Sequence, residues 1–175
     1  ADLDFMIAHK VDWVALSFVR RTQDIIDLKK KLKDTGSKAK VIAKIEMPEA
    51  LRNLRDIIVE SDGVMIARGD LGVELPIEEV PLIQKDIIKK CLHRAKPVIV
   101  ATQMMESMID RTKPNRSEIT DVANAVLEGA DAVCLAGDRG HEEPGALSPC
   151  RQRGQLSGRR RRGRDRRHAR ARRGC

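Results

Sequence analysis

From Val11 to Leu135 short apolar runs alternate with longer amphipathic stretches, and the two periods predict different elements. The short runs are Trp13 to Val19, Val41 to Ile45, Gly63 to Ala67, Pro97 to Ala101 and Asp131 to Leu135. They are rich in β-branched or small apolar residues and too short for helices, so they predict strands. Between them, Asp24 to Lys33 sets Ile25, Ile26, Leu28 and Leu32 near one face, with Thr22 as a cap and Gly36 as a stop. Further helices are expected over Glu49 to Val59, with Leu51, Leu54, Ile57 and Ile58 inward, over Val80 to Arg94, and over Ser117 to Leu127, stopped by Gly129. Strand ends near Arg20, Glu46, Asp70, Thr102 and Gly137 lie 26, 24, 32 and 35 residues apart, which suits right-handed β-α-β crossovers. The expected class is therefore α/β with a parallel sheet. No GxGxxG follows a strand, and polar residues come just after nearly every strand, as around the mouth of a β/α barrel. The expectation is a partial TIM (β/α)8 barrel of about five parallel strands with connecting helices, too few to close a barrel alone.

Composition narrows the classes. The chain has 175 residues, 41% hydrophobic and 34% charged, enough for one domain with a real core and against a wholly disordered protein. Phe5, Trp13 and Phe18 are its only aromatics, so the core must be Val, Ile, Leu, Met and Ala, the filling of a buried parallel sheet. Single-stranded nucleic-acid platforms, which need exposed rings, are disfavoured. The net charge of +8 is unevenly spread: residues 151 to 175 hold twelve Arg and one Asp, which leaves residues 1 to 150 with a net of −3. Two regions follow, a barrel domain over 1–137 and an Arg/Gly-rich tail over 138–175 that is expected to be disordered. The tail invites nonspecific nucleic-acid binding with strong salt dependence. Cysteines at 91, 134, 150 and 175 form no CxxC pair, so neither a zinc site nor a disulfide framework is indicated, and a cytoplasmic location is expected. Apolar runs stay well below the roughly eighteen residues of a membrane span, so no membrane role is expected. The amino terminus lacks a signal peptide's layout and reads as the middle of a helix, which suggests a chain cut from a longer one.

The candidate chemistry sits at the strand ends. In Val41-Ile42-Ala43-Lys44-Ile45-Glu46 alternation puts Ile42, Lys44 and Glu46 on one face, so opposite charges stand side by side near the strand's end. A Lys in a strand fit for burial needs that carboxylate, or an anionic ligand, to offset lost hydration. Taken by itself, the segment also fits a solvated strand end with a surface ion pair. The next strand runs into a predicted loop, Arg68-Gly69-Asp70-Leu71-Gly72, whose amides near Gly69 and Asp70 can hold a small carboxylate. Asp70 and Glu46 would share one rim as hard oxygen ligands of Mg²⁺, although an ordinary Asp-Gly loop fits as well. Thr102 either donates to a substrate oxygen or simply caps the short helix that follows. Met104, Met105 and Met108 read as core filler, and His9, His93, His141 and His168 have no partner at readable spacing.

These segments, in order, are uncommon strings: Val14-Ala15-Leu16-Ser17-Phe18-Val19-Arg20, Ala43-Lys44-Ile45-Glu46, Met65-Ile66-Ala67-Arg68-Gly69-Asp70-Leu71-Gly72-Val73-Glu74, Ala101-Thr102-Gln103-Met104, Pro114-Asn115-Arg116-Ser117-Glu118 and Asp121-Val122-Ala123-Asn124-Ala125-Val126. Through them residues 2 to about 137 resemble the second half of the catalytic barrel of pyruvate kinase. The resemblance implies transfer of the phosphoryl group of phosphoenolpyruvate to ADP, giving pyruvate and ATP in glycolysis. It implies Lys44 and Thr102 as catalytic residues, and Ala67, Arg68, Gly69, Asp70 and Thr102 around the substrate, the main chain near Gly69 and Asp70 holding its carboxylate. Glu46 and Asp70 would be ligands to Mg²⁺ or Mn²⁺. It also implies a K⁺ requirement, with ligands outside this chain, and a homotetramer. Phosphoryl transfer calls for such a set, because it is mostly positioning and neutralisation of charge on oxygen.

The resemblance is partial. It leaves out the first three barrel strands, the lid domain, the arginine contact to phosphate and the C-terminal domain, so the chain alone is expected to be inactive. Cys134-Leu135-Ala136-Gly137-Asp138-Arg139 stands where the family usually reads Met-Leu-Ser-Gly-Glu-Thr. Gly-Glu-Thr-Ala written GGC GAG ACC GCG G, minus one GA, reads as residues 137 to 140, so a reading-frame slip is expected there. Two competitors remain: a metal-dependent lyase acting on pyruvate enolates in a similar barrel, and a noncatalytic polyanion binder driven by the tail.

Overall fold

A computed structural model describes residues 2–135. Five strands, β1 (Trp13–Leu16), β2 (Lys40–Ile45), β3 (Gly63–Ala67), β4 (Val98–Ala101) and β5 (Ala132–Val133), form one parallel sheet in the order 1-2-3-4-5. Each new strand adds on the same side of the last, with none of the order reversal that defines a doubly wound sheet, which fits a segment of a β/α barrel. The predicted tail and its boundary at 137 lie outside the described residues.

Helices α1 (Asp2–Ala8), α2 (Thr22–Asp34), α3 (Pro48–Arg52), α4 (Leu54–Glu60), α5 (Arg68–Glu74), α6 (Val80–Leu92) and α7 (Arg116–Glu128), with a 3₁₀ turn at Glu106–Ile109, join or precede the strands. One sheet face carries Val14, Val41, Ala43, Ile45, Val64, Ile66, Val98 and Val100, all buried against Ile25, Leu32, Ile57, Ile58, Leu71, Ile87 and Ile88. On the other face Trp13, Lys44, Met65 and Ile99 stay partly accessible. Alternation along each strand thus separates a helix-covered face from the face that carries Lys44.

Several predicted boundaries shift for identifiable reasons. β1 stops at Leu16 rather than Val19, because Phe18 turns left-handed, at φ 55°, and sends its amide to the Glu46 carboxylate instead of the ladder. Thr22 is not the cap of α2. It is the first helical residue, and Asp24 reaches back to accept the Arg20 and Arg21 amides, both at 2.9 Å. The single helix expected over Glu49 to Val59 is broken at Asn53, whose side-chain amide donates to the Arg20 and Glu49 carbonyls and competes with helix continuation. The predicted loop at Arg68–Gly72 is the start of α5, which follows β3 directly. Thr102 caps nothing; Met105 precedes the 3₁₀ turn. Met104 is fully buried, whereas Met108 is exposed and fills no core.

Gly129 ends α7 as expected, at φ 99°, and a Cβ there would lie 2.7 Å from Leu92 Cδ1, so both backbone and space demand glycine. Burial, reinforced by the Asp131 charge and only partly offset by Arg94, pushes the Cys91 thiol up to about 12. That thiol is a packing group, not a nucleophile. No described helix is long and apolar enough to cross a membrane.

Candidate active site at the carboxyl ends of the strands

Parallel pairing sets the positions of the candidate residues before any side chain is considered. Register matches Leu16 with Ala43, Ile45 with Ile66 and Ala67 with Ala101. Ser17, Glu46, Arg68 and Thr102 therefore follow one another along a single rim, at the carboxyl ends of β1 to β4. Barrel enzymes place their chemistry at that end, because the βα connections there can vary without disturbing the core.

Lys44 and Glu46, two residues apart on β2, point the same way and pair at 2.5 Å between Nζ and Oε1. Lys44 Nζ also donates to Ser17 Oγ at 3.0 Å. Glu46 is only 2% exposed, and its second oxygen accepts the Phe18 amide at 2.8 Å. A buried carboxylate is tolerable because a cation and a main-chain donor compensate it. The ammonium is part-exposed and, among the described residues, bound to two oxygens, which leaves one N–H for an incoming anion.

Thr102 is held in an uncommon state. Its φ is 64°, in the left-handed region that a β-branched residue seldom adopts, and Gln103 follows at 54°. The hydroxyl donates to the Ala101 carbonyl at 2.6 Å and accepts the Gly69 amide at 2.7 Å. A Cβ on Gly69 would lie 3.3 Å from Thr102 Oγ1, so glycine lets the start of α5 approach this closely. The Thr102 proton is thus already given to the main chain, and one oxygen lone pair remains for a water or a ligand.

The Arg68-Gly69-Asp70 segment divides by direction. Ala67 is buried and ends β3. The Arg68 side chain is 9% exposed and is taken up by protein groups: Asp121 Oδ1 and Oδ2 at 2.8 and 2.7 Å, Gln84 Oε1 at 3.5 Å, and the Thr102 and Gln103 carbonyls. The Gly69 amide is engaged by Thr102. Asp70 is exposed in the first turn of α5, and its carboxylate has no hydrogen bond or ion pair among the described residues.

As hosts for a divalent ion, Glu46 and Asp70 offer the hard oxygen chemistry that Mg²⁺ prefers, on neighbouring connections of the same rim. Among the described residues no three His, Cys, Asp or Glu side chains gather into a metal cage. Both Glu46 oxygens already have partners, Lys44 and the Phe18 amide, so an ion held with Asp70 would share Glu46 with them, substrate oxygens and water completing the sphere.

Sequence reasoning missed Ser17, the Phe18 amide, Gln84 and Asp121. Ser17 was findable, since it continues the Trp13, Ala15 alternation and falls beside Lys44 in register. Asp121 had a weaker signal: it shares a face of α7 with buried Ala125 and with Glu128, an unusual place for two acids.

A family model described as pyruvate kinase, barrel domain, matches residues 1–143. The pyruvate kinase of Thermotoga maritima is 53% identical over 130 residues, which are 74% of this chain and 28% of that protein. That of Mycobacterium intracellulare is 55% identical over 137 residues, 78% of this chain and 29% of that one. The chloroplastic pyruvate kinase isozyme G of Nicotiana tabacum is 52% identical over 140 residues, 80% and 25% respectively. The chain spans little more than a quarter of the length of these relatives. With a parallel strand succession of the barrel type, a charged rim at the expected end and a family match over most of its length, this chain belongs to the pyruvate kinase family.

Proposed function

We propose that this chain supplies part of the active site of a pyruvate kinase, which passes the phosphoryl group of phosphoenolpyruvate to ADP and releases pyruvate. The observation that carries the reading is the Lys44–Glu46 pair, set on one rim with the Thr102–Gly69 contact. In this role Lys44 directs its remaining N–H at the transferring phosphoryl oxygens and at the enolate oxygen left behind, where charge develops. Glu46 keeps the ammonium aimed. The main chain at Gly69 and Asp70 receives the substrate carboxylate, with Thr102 Oγ1 holding the Gly69 end of that turn in place. Thr102 then holds a water or the methylene carbon's proton source with its remaining lone pair. A divalent cation between Glu46 and Asp70 would neutralise phosphate and enolate charge. The K⁺ requirement and the homotetramer follow from the family alone.

The rest of the barrel must come from outside the residues described, so the chain by itself is proposed not to turn over substrate. The proposed location is a reducing compartment such as the cytoplasm, since the four cysteines of the sequence form no CxxC pair. Polyanion binding by the Arg-rich residues 151–175 is a separate, nonspecific property that removal of 138–175 should abolish.

The test is a chimera in which this segment replaces the matching 130 residues of the Thermotoga maritima relative. It should transfer phosphate to ADP, and Lys44→Met in the chimera should not. A chimera with native circular dichroism and no activity would sink the reading.

A further inference from the structure

Thr102 and Gln103 present a physical problem that the active-site reading does not solve. Two consecutive left-handed residues, one of them β-branched, persist only when their surroundings hold them there. Their carbonyls leave the β4 ladder and need donors.

Both donors come from a single side chain. Arg68 Nη2 donates to the Thr102 carbonyl at 3.1 Å and to the Gln103 carbonyl at 2.8 Å, and Nε also reaches the Thr102 carbonyl at 3.3 Å. Nη2 further lies 2.9 Å from Met104 Sδ. The opposite edge of the guanidinium is fixed by Asp121 on α7 and, more loosely, by Gln84 on α6. Gln84 in turn donates to Glu128 Oε2 at 3.1 Å, so its amide is oriented rather than free to swing. The planar fork is what allows one residue to hold two successive carbonyls and a carboxylate at once, which a lysine ammonium cannot do.

We propose that Arg68 is a positioning residue whose side chain, anchored by Asp121, clamps the left-handed Thr102–Gln103 turn and so places Thr102 Oγ1 against the Gly69 amide. The side chain acts on the substrate only through Thr102. The proposal deepens the active-site reading and rests on it for the claim that Thr102 lies beside the substrate. The clamp itself stands on geometry alone. It assigns α7 a part in the site although the helix contributes no group to the reacting atoms.

Residue-resolved hydrogen exchange on the full chain tests it, with the Gly69 amide as reporter, Ile66 and Val100 as strand references, and Thr102→Val marking complete loss of the contact. Arg68→Lys keeps the charge but not the fork, and should speed Gly69 exchange at least tenfold, toward the Thr102→Val value, while Ile66 and Val100 stay within twofold. Asp121→Asn, a milder change should Arg68→Lys fold poorly, should give an intermediate increase. Phosphoenolpyruvate affinity, measured with Mn²⁺ present, should fall in the same order. Gly69 protection unchanged in both variants would overturn the clamp. So would equal acceleration at all three amides, which would make Arg68 a general packing residue. A loss of phosphoenolpyruvate binding with Gly69 still protected would also overturn it, since Arg68 would then contact substrate directly. If a chimera carrying this segment bound no phosphoenolpyruvate, the functional reading would fail, while the exchange comparison would still decide the clamp.

Discussion

The two ends of the sheet use the same residue types for opposite purposes. At the amino end, acids are spent on the backbone: Asp62, just before β3, accepts the Val41 amide of β2 at 2.8 Å and the Lys29 ammonium at 2.9 Å. Asp131, just before β5, accepts the Val98 amide of β4 at 2.9 Å. Lys96 there donates to the Val59 and Ser61 carbonyls and closes the end of α4. At the carboxyl end, among the described residues, Lys44 keeps an unused donor and Asp70 has no partner; positive φ occurs there at Phe18, Thr102, Gln103 and Met105, and at the amino end at Lys10 and Ala95. Charges whose capacity is filled by main chain contribute stability. Charges left with capacity, close to the left-handed turns at Phe18 and Thr102–Gln103, are the ones the proposed function assigns to a ligand.

The largest effect expected from breaking this division lies at the carboxyl end. Lys44→Met in the chimera should lower kcat by about a hundredfold to a thousandfold, the usual scale for removing one preorganised donor. A tenfold loss or less would mean that Lys44 resembles the amino-end lysines. Next comes Gly129→Ala in the loop that leads into β5. A left-handed Ala pressed against Leu92 should cost about 1–3 kcal/mol in a denaturant titration, with ligand binding unchanged. Smaller again is Asp62→Asn, which weakens the acceptor for Val41 and removes the charge facing Lys29. A loss of about 1–2 kcal/mol is expected, again without effect on the other rim.

Acid sharpens the same contrast. Burial is the largest single influence on Asp62 and raises its pKa, but the Val41 amide, the Lys29 hydrogen bond and the Lys29 and Lys96 charges together outweigh it, so the carboxyl sits below its usual 3.8. Glu118, which accepts the Ser107 hydroxyl and the Ser107 and Asn115 amides, is likewise held below 4.5, chiefly by that hydroxyl. A lowered pKa gives stability that is complete above the unfolded value and is lost as pH falls through the folded one. Stability should therefore hold from neutrality to about pH 4.5 and decline below it, and Asp62→Asn should flatten the part of that decline below pH 3.8. An unchanged acid limb in that variant would remove Asp62 from the account. The smallest effect belongs to Asp70→Asn, which should move stability by less than about 0.5 kcal/mol because the side chain is exposed and unpartnered in the described region.

The five strands were legible because strands buried on one side by helices read as short apolar runs, and the Lys44–Glu46 pairing followed from alternation alone. What escaped depends on distant partners. Asn53 breaks a helix because the Arg20 carbonyl, 33 residues away, takes its amide. Arg68 turns from the mouth because Asp121, 53 residues on, offers a carboxylate. The left-handed Thr102 has no local signature, since a β-branched residue after a strand predicts more strand, and the groups that hold it, the Gly69 amide and the Arg68 guanidinium, lie 33 and 34 residues back in the chain.

The most direct measurement is paramagnetic relaxation on the isotope-labelled chain with Mn²⁺ and phosphoenolpyruvate added together. The amides of Glu46, Asp70 and Thr102 should broaden together, while those of Asp62 and Asp131 at the far end stay sharp. Broadening centred on Asp62 and Asp131, or spread evenly over both rims, would contradict it.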